Sequence, residues 1–282
     1  MDDQAPPDIH YAEHRPPAAL RAYVRCFWRL RAPPQPFAPP PEPILPDGCV
    51  ELVLHLGDPF SRYDDGGRVE TQPRMLVAGQ ITHAIVVKPS PRIDVWGIRL
   101  HPWSASVFLG VPSIDLRDRV VSLGEFSSRL ERALASVADH GDDESQLSAI
   151  IRALSAHVSS AAAPDDAACF AVARLTSQNA DYSVRGLAKE LGLGARRVDG
   201  IFRDHVGLSP KQFLRIHRFQ RALALRRAAP SLTWASIAVR AGYFDQAHLV
   251  HEARAIAGAT PSELLVSAGG LTDLFLVRDA SS

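Results

Sequence analysis

The chain has 282 residues, of which 46% are hydrophobic and 22% are charged, and its formal net charge is zero. These values are typical of a soluble globular protein with two domains. The three cysteines form no CxxC pair and have no histidine at ligand spacing, so neither a disulfide framework nor a metal site is predicted. The sequence also predicts no cofactor. Because no stretch approaches the roughly 20 apolar residues of a membrane span and the N-terminus lacks a secretion signal, we expect a cytoplasmic protein without membrane contact.

The first part of the chain is predicted to be an N-terminal domain, residues 1–158, built on a small β-barrel or sheet with added helices. Residues 1–18 are polar and contain proline, which predicts a loose arm before a first element at 19–30. Eight of the fourteen residues from Pro33 to Pro46 are proline; this favours an extended surface loop over a docking site for a partner domain. Short β-prone runs separated by turn residues follow at 49–56, 75–78, 84–88 and 92–100.

Helical periodicity begins after His101 and predicts helices at 123–138 and 146–158, which cover the barrel or form a dimer contact. Residues 159–167 are small, polar and proline-punctuated, so we place a linker there. A helical domain is expected at 168–268, followed by a tail at 269–282 in which 274–277 forms either a short strand or no element. The chain is therefore predicted to be α+β.

Charge is distributed unevenly between these parts. Residues 165–268 contain 14 arginines and lysines against nine acidic residues, whereas residues 1–164 contain 16 against 20. A basic domain beside an acidic one is the pattern expected when only one of them meets phosphates.

One pattern occurs twice in the basic part and predicts two helix-turn-helix units. The first pairs of the two copies are 50 residues apart and the last pairs 51 apart, so the second copy has one extra residue in its turn. Each copy places an alanine four residues before a turn glycine and ends in Gly-x-[Ser/Thr]-Pro. The copies run through Ala188, Gly192, Gly207, Ser209 and Pro210, and through Ala238, Gly242, Gly258, Thr260 and Pro261.

Each unit has its own helix signals. Ser183 and Thr233 stand where N-caps are needed, and Gly192 and Gly242 suit the left-handed turn that ends a helix. The second helices are expected from about 195 to 205 and from about 245 to 257. One long helix at 210–227 connects the units and sets the distance between them.

Residues 168–268 resemble the DNA-binding domain of AraC/XylS-type bacterial transcription regulators. The resemblance rests on the two units and above all on the run Ile237-Ala-x-x-Ala-Gly-Tyr-Phe-Asp-Gln-Ala-His-Leu249. It implies an all-helical domain whose two recognition helices enter adjacent major-groove segments of double-stranded promoter DNA. RNA polymerase and a second copy of the chain are further partners that it implies.

The resemblance also extends to the N-terminal domain, where residues 46–52 and 96–102 are similar to segments in a subset of these regulators. It implies a cupin-like barrel that binds a small effector and helps the protein dimerise. The metal-binding cupin pattern of two histidines followed by glutamate is absent from this sequence.

The chain departs from the family pattern in both recognition helices. Gly200 stands where a base-reading arginine is usual, and His251 and Ala253 replace an arginine and an inward phenylalanine. A glycine inside a helix costs up to about 1 kcal/mol relative to alanine and offers no side chain to a base edge. The two units are therefore expected to read DNA unequally.

The candidate site residues fall into three sets. We expect base contacts from exposed positions of the recognition helices, because arginine and glutamine can form two hydrogen bonds to the edge of guanine and adenine, respectively. The positions are Arg196, Arg197, Asp199, Gln246, His248 and His251. DNA backbone contacts are expected from Ser183, Lys211 and Thr260. A polar effector pocket is expected to contain Glu51, Arg99 and His101.

The preferred function is a sequence-specific transcription regulator that is not an enzyme. The sequence has no nucleophile elbow, no phosphate loop and no histidine-rich metal set. Two alternatives stay open: a barrel enzyme fused to a DNA-binding domain, and an architectural DNA-binding protein that needs no effector.

Overall fold

A computed structural model describes residues 9–64, 66–177 and 183–266. These residues form an N-terminal sheet-rich domain and a C-terminal helical domain, which confirms the α+β prediction. The strands are β1 His10–His14, β2 Val24–Arg31, β3 Glu42–Ile44, β4 Glu51–His55, β5 Ser61–Tyr63, β6 Val69–Thr71, β7 Met75–Ala78, β8 Ile85–Lys88, β9 Asp94–Leu100 and β10 Val120–Ser122.

The strands form two antiparallel sheets. Six of them lie in the order β1-β2-β9-β4-β7-β10, and four in the order β3-β8-β5-β6. Side chains alternate between the two faces of a strand. On β2, Phe27 therefore belongs to the core beneath the helices, whereas Trp28 belongs to the core that includes Phe60 and Val87 beside the smaller sheet.

Three helices of the N-terminal domain, α1 Ala105–Leu109, α2 Ser128–Ala135 and α3 Asp143–Val158, supply the other side of the larger core. Helix α3 is also held by polar contacts. Its Gln146 accepts a hydrogen bond from the Trp96 indole at 2.8 Å. The buried Arg29 guanidinium pairs with Asp94 at 2.6 Å and with Asp143 at 3.0 Å.

Several boundaries predicted in this domain are wrong. The predicted loose arm contains β1, which pairs with β2 and stacks Tyr11 against Trp28. The element predicted at 19–30 is a short 3-10 turn followed by β2, and the helix predicted at 123–138 contains α2 between 3-10 turns. The proline-rich segment ends in β3 and in the buried residues Leu45 and Pro46, so its end is not a surface loop.

The C-terminal domain follows the predicted order of helices. Its elements are α4 Asp166–Thr176, α5 Val184–Glu190, α6 Ala195–Ile201, α7 Pro210–Ala228, α8 Trp234–Ala241, α9 Gln246–Ala257 and α10 Pro261–Val266. A π-helical turn, Phe202–Val206, extends α6. The predicted tail at 269–282 lies outside the described residues, and the linker boundaries 159–167 stay a prediction.

The predicted helix caps of the two units are confirmed. Ser183 and Thr233 accept hydrogen bonds from the backbone amides of Gly186 and Ser236 at 3.1 and 3.2 Å. Gly192 and Gly242 have φ of 64° and 90°, the left-handed conformation that ends a helix. Within the described parts of the chain, no helix has the length and apolar character needed to cross a membrane.

We expect Gly97→Ala to destabilise the N-terminal domain. Gly97 lies opposite Trp28 in the β2–β9 register, and an added Cβ would be 1.8 Å from Trp28 Cε2. The indole must shift, which typically costs about 1–3 kcal/mol, and the urea unfolding midpoint should fall. The matched control is Gly141→Ala, whose added Cβ meets nothing within 4 Å; equal midpoints for the two variants would contradict this account.

Candidate nucleic-acid interface and adjoining cavity

The first helix-turn-helix unit consists of α5 and α6 with its π-helical turn. Leu187 and Ala188 of α5 pack against Val198 and Phe202 in one buried core. The small Ala188 side chain lets the helices cross closely. An ion pair between Arg174 and Glu190 at 2.9 Å ties α5 to α4.

The second unit consists of α8 and α9 and repeats this arrangement. Ile237 and Ala238 of α8 pack against Leu249 of α9 in a separate core. An ion pair between Arg215 and Glu252 ties α9 to the connecting helix α7. In each unit the second helix is the recognition helix of the motif, so α6 and α9 are the candidate DNA-reading elements.

The two recognition helices can be compared position by position at an offset of 51 residues. Val198 and Leu249 are equivalent, and both are fully buried. At the same offset Gly200 corresponds to His251, and Arg203 corresponds to Arg254. The two arginines are exposed. The repeat therefore preserves an exposed basic position near the end of each recognition helix and differs one turn earlier.

The structure places every predicted base-contacting residue on α6 or α9. Asp199 is half-buried and the others are exposed; they are Arg196, Arg197, Gln246, His248 and His251. The His248 ring is oriented locally: its Nδ1 accepts the Phe244 amide at 3.4 Å, and the ring lies edge-on to Tyr243 with centroids 5.3 Å apart.

Sequence reasoning missed three exposed residues near these helices. Arg203 and Arg254 are exposed toward the ends of the two recognition helices, and Phe244 precedes α9 with 88% of its side chain exposed. The equal spacing of the arginines in the two copies was the available signal. Phe244 had no such signal, because nothing in the sequence distinguishes an exposed aromatic residue from a buried one in a short turn.

The residues predicted to contact the DNA backbone lie at helix starts. Lys211 is exposed in the first turn of α7. The Ser183 hydroxyl caps α5, and the Thr260 hydroxyl accepts the Glu263 amide at 3.3 Å. Both hydroxyls thus have a structural role, and their DNA contacts stay predictions.

The N-terminal domain contacts both recognition helices at equivalent positions. The Ser113 hydroxyl donates to the carbonyl oxygen of His205 at 2.8 Å. The Ala84 amide donates to the carbonyl oxygen of Ile256 at 2.7 Å. His205 and Ile256 are 51 residues apart, the offset that relates the two helices. Each helix therefore has a carbonyl of its last turn satisfied by the same domain.

The turn between β3 and β4 forms a further interdomain contact. Leu45 lies in a buried core with side chains of α7, α9 and α10. The buried Gln220 of α7 donates to the Pro46 carbonyl oxygen at 2.6 Å. Gly48, with φ of 80°, packs so close to Phe213 that an added Cβ would be 3.0 Å from the ring.

A cavity of about 110 Å³ adjoins this turn. It is lined by residues of both sheets, including the predicted pocket residues Glu51 and Arg99. The Arg99 Nε donates to Glu51 at 2.6 Å and lies 3.5 Å from an Asp47 oxygen. His101 is not among the lining residues; its ring stacks on Trp103 at 4.6 Å.

Burial and ion pairing act together on the charged groups of the cavity. Burial raises the pKa of Glu51, although the nearby Arg99 opposes this rise. Burial disfavours the charge on Arg99, but Glu51 and Asp47 hold its pKa well above the usual value. The guanidinium therefore stays charged and keeps its carboxylate partners.

His55 lines the same cavity and is only 2% exposed. Its ring packs on Phe60 with centroids 4.9 Å apart. Burial lowers the pKa of His55 to about 4, and the nearby Gln72 amide offsets only part of this effect. The imidazole is therefore neutral at physiological pH.

Two cysteines of the N-terminal domain have buried thiols. Cys26 and Cys49 are buried, and burial raises the pKa of each thiol to about 12. Thiols with such pKa values form little of the reactive thiolate. Among the described residues, no cluster of three or more His, Cys, Asp or Glu could hold a metal ion.

Comparisons with known proteins match two separate parts of the chain. Residues 187–266 match the family model described as Helix-turn-helix domain. Residues 12–122 match the model described as Domain of unknown function (DUF6597). No curated protein matches the chain significantly.

Similar solved structures include a DNA-binding transcriptional dual regulator from Escherichia coli, with 23% identity and a TM-score of 0.32 over 36% of this chain and 91% of that one. Apo ToxT from Vibrio cholerae has 10% identity and a TM-score of 0.45 over 93% and 97%. ToxT bound to an unsaturated fatty acid has 11% identity and a TM-score of 0.43 over 87% and 92%.

The matched helix-turn-helix domain and the duplicated unit within it define a DNA-binding regulator of transcription. Residues 187–266 thus form a helix-turn-helix domain, and residues 12–122 form a domain of the DUF6597 kind.

We expect His55→Gln to reduce the acid sensitivity of the fold. Because the pKa of His55 is about 4 in the folded protein and about 6.5 when exposed, the unfolded chain binds more protons between these values. Stability is then lost as pH falls from about 6.5 to 4, by up to about 3 kcal/mol from this residue. The measurement is the urea unfolding free energy at pH 7 and pH 4.5.

The control for this prediction is His10→Gln, which removes an exposed histidine. This variant should lose as much stability on acidification as the original chain does. If the His55 variant loses just as much, the imidazole is not responsible for the acid sensitivity.

Proposed function

We propose that this protein binds a specific promoter sequence by placing α6 and α9 in adjacent segments of the major groove, under the control of a small effector bound by the N-terminal domain. The observation that carries the proposal is the equivalence of the two recognition helices. Each buries one face in its own unit and exposes the other, and each exposes an arginine at the same position of the repeat, Arg203 and Arg254.

Base reading is assigned mainly to the first turns of the two helices. Arg196 can grip guanine through O6 and N7, and Gln246 can grip adenine through N6 and N7. Both are exposed next to the start of their helix, the part that enters the groove first in helix-turn-helix proteins. Arg197, Asp199, His248 and His251 are the remaining candidates for base contacts.

Phosphate binding is assigned to residues around the recognition helices. Arg203 and Arg254 lie two turns further along, where a long cationic side chain reaches the backbone more readily than the base edges. Lys211 begins α7 beside the first unit. Ser183 and Thr260 complete the set through hydroxyl groups. These contacts position the protein and add affinity without selecting a sequence.

Effector control is assigned to the N-terminal domain because its cavity adjoins the turn that contacts α7. Glu51 and Arg99 line the cavity and form its charged side. His101, the third residue predicted for the pocket, lies outside the lining. We infer that the protein works without catalysis in the cytoplasm, contacts RNA polymerase at the promoter, and pairs with a second copy.

Selection from random double-stranded DNA at physiological salt tests the proposal. Two enriched motifs about one helical turn apart, roughly 10 base pairs, are expected. Enrichment without any motif would favour an architectural DNA-binding protein, and an absence of enrichment would reject DNA reading by these units.

We expect Gln246→Ala and Arg254→Ala to weaken DNA binding in different ways. The first should cost about 1–3 kcal/mol on the selected site and relax the preference at one base pair. The second should weaken binding to all sequences alike and reduce the salt slope of binding by about one. Titrations of selected and scrambled duplexes at several salt concentrations measure both effects; exchange of the two outcomes would reverse the assigned roles.

We expect Gly200→His to add one preferred base to the motif that the first unit selects. Gly200 is the counterpart of His251, and an added Cβ there meets nothing within 4 Å. The control is Gly200→Ala, which gains more helix propensity than histidine does but has no group to donate or accept a hydrogen bond. Repeated selection should show a new preferred base in the first motif with histidine only. If both variants select the original motif, Gly200 does not face the bases.

A further inference from the structure

The cavity of the N-terminal domain is lined mainly by apolar side chains. Alternation along β4 directs Glu51, Val53 and His55 to the same side, toward the smaller sheet. Trp28 and Phe60 line it together with aliphatic residues of both sheets, which include Leu30, Ile44, Leu76, Ile85, Val87 and Val95.

One polar side chain of this lining lacks hydrogen-bond partners. His55 is 2% exposed, and neither of its ring nitrogens has a partner among the described residues. Gln72 is near the ring but not at hydrogen-bond geometry for either nitrogen. A buried polar group without a partner is costly and uncommon in native structures. A neutral imidazole can donate from one nitrogen and accept at the other.

The charged groups of the cavity are, in contrast, already paired. The two Glu51 oxygens accept hydrogen bonds from Arg99 at 2.6 Å and from the Trp28 indole at 2.8 Å. One Asp47 oxygen lies 3.5 Å from the Arg99 Nε, and the other accepts the Cys49 amide at 2.9 Å. A charged ligand would have to compete with these pairs or remain uncompensated, and a buried unpaired charge is strongly disfavoured.

The size of the cavity limits the ligand further. Its volume of about 110 Å³ is somewhat below the roughly 150 Å³ of an engineered apolar cavity that binds benzene. One small ring or one short branched chain therefore fits without a large movement of the walls.

We propose that this cavity binds a compact, uncharged and mostly apolar molecule whose hydroxyl or carbonyl group hydrogen-bonds to His55. This inference rests on the proposed effector role of the N-terminal domain and specifies its ligand class.

Two segments of the cavity wall also contact the second helix-turn-helix unit. Ile44 and Ile85 line the cavity, whereas Ala84 packs in the core of α9 and its amide bonds to Ile256. Leu45 both lines the cavity and packs in the core that contains α9 side chains.

Calorimetric titration of the full chain with four probes of similar size tests the ligand class: cyclopentanol, cyclopentane, cyclopentylammonium and cyclobutanecarboxylate. Cyclopentanol should bind most tightly. Cyclopentane should bind up to about tenfold more weakly, because it leaves His55 without a partner. Either charged probe should bind at least about tenfold more weakly. Equal or tighter binding of a charged probe, or no binding of cyclopentanol up to its solubility, would overturn the proposal.

Two variants test the location. His55→Phe should abolish the preference for cyclopentanol over cyclopentane while cyclopentane still binds. Ala78→Leu adds volume to the lining and should abolish binding of both uncharged probes. The control is Ala133→Leu, on the exposed face of α2, which should leave all affinities unchanged. Unchanged binding to Ala78→Leu would place the ligand elsewhere.

DNA binding is measured separately, on the selected duplex without any probe. A chain that binds its motif but no probe would reject the ligand assignment alone. A chain that binds cyclopentanol but selects no DNA motif would reject the proposed function and leave the cavity assignment standing.

Discussion

The contact between the β3–β4 turn and helix α7 is the constraint on which the two-domain arrangement depends. Gln220 is buried, and its amide donates to the Pro46 carbonyl oxygen. Gly48 permits close packing against Phe213, and Leu45 enters the core of the helical domain. Because the same turn forms part of the cavity wall, the position of α7 and the shape of the cavity are determined together.

The single N-terminal domain thus contacts both copies of the helix-turn-helix unit. The donors differ, since Ser113 uses its hydroxyl and Ala84 its backbone amide, but the acceptors are equivalent carbonyls of the π-helical turn after α6 and of α9. A change in the N-terminal domain can therefore alter the relative placement of both recognition helices. Two helices that bind one duplex must match its helical repeat, so even a small rotation between them would change the affinity of the protein for DNA.

The two units are alike in their cores and unlike in their exposed faces. Gly200 and His251 occupy equivalent positions, and only His251 has a side chain that can form hydrogen bonds. The π-helical turn that follows α6 closes at Gly207, where an added Cβ would be 2.6 Å from the Ser113 carbonyl oxygen. The end of the first recognition helix is therefore closely packed against the N-terminal domain.

The order of the helices in the C-terminal domain, the caps at Ser183 and Thr233 and the exposed faces of α6 and α9 could be predicted from the sequence, because these signals act within one or two helical turns. The pairing of polar residues in the N-terminal domain depends instead on how distant strands align. Glu51 and Arg99 are 48 positions apart and pair across adjacent strands, whereas His101, two residues beyond Arg99, lies outside the cavity. Sheet register brings distant residues together, and no local pattern encodes it.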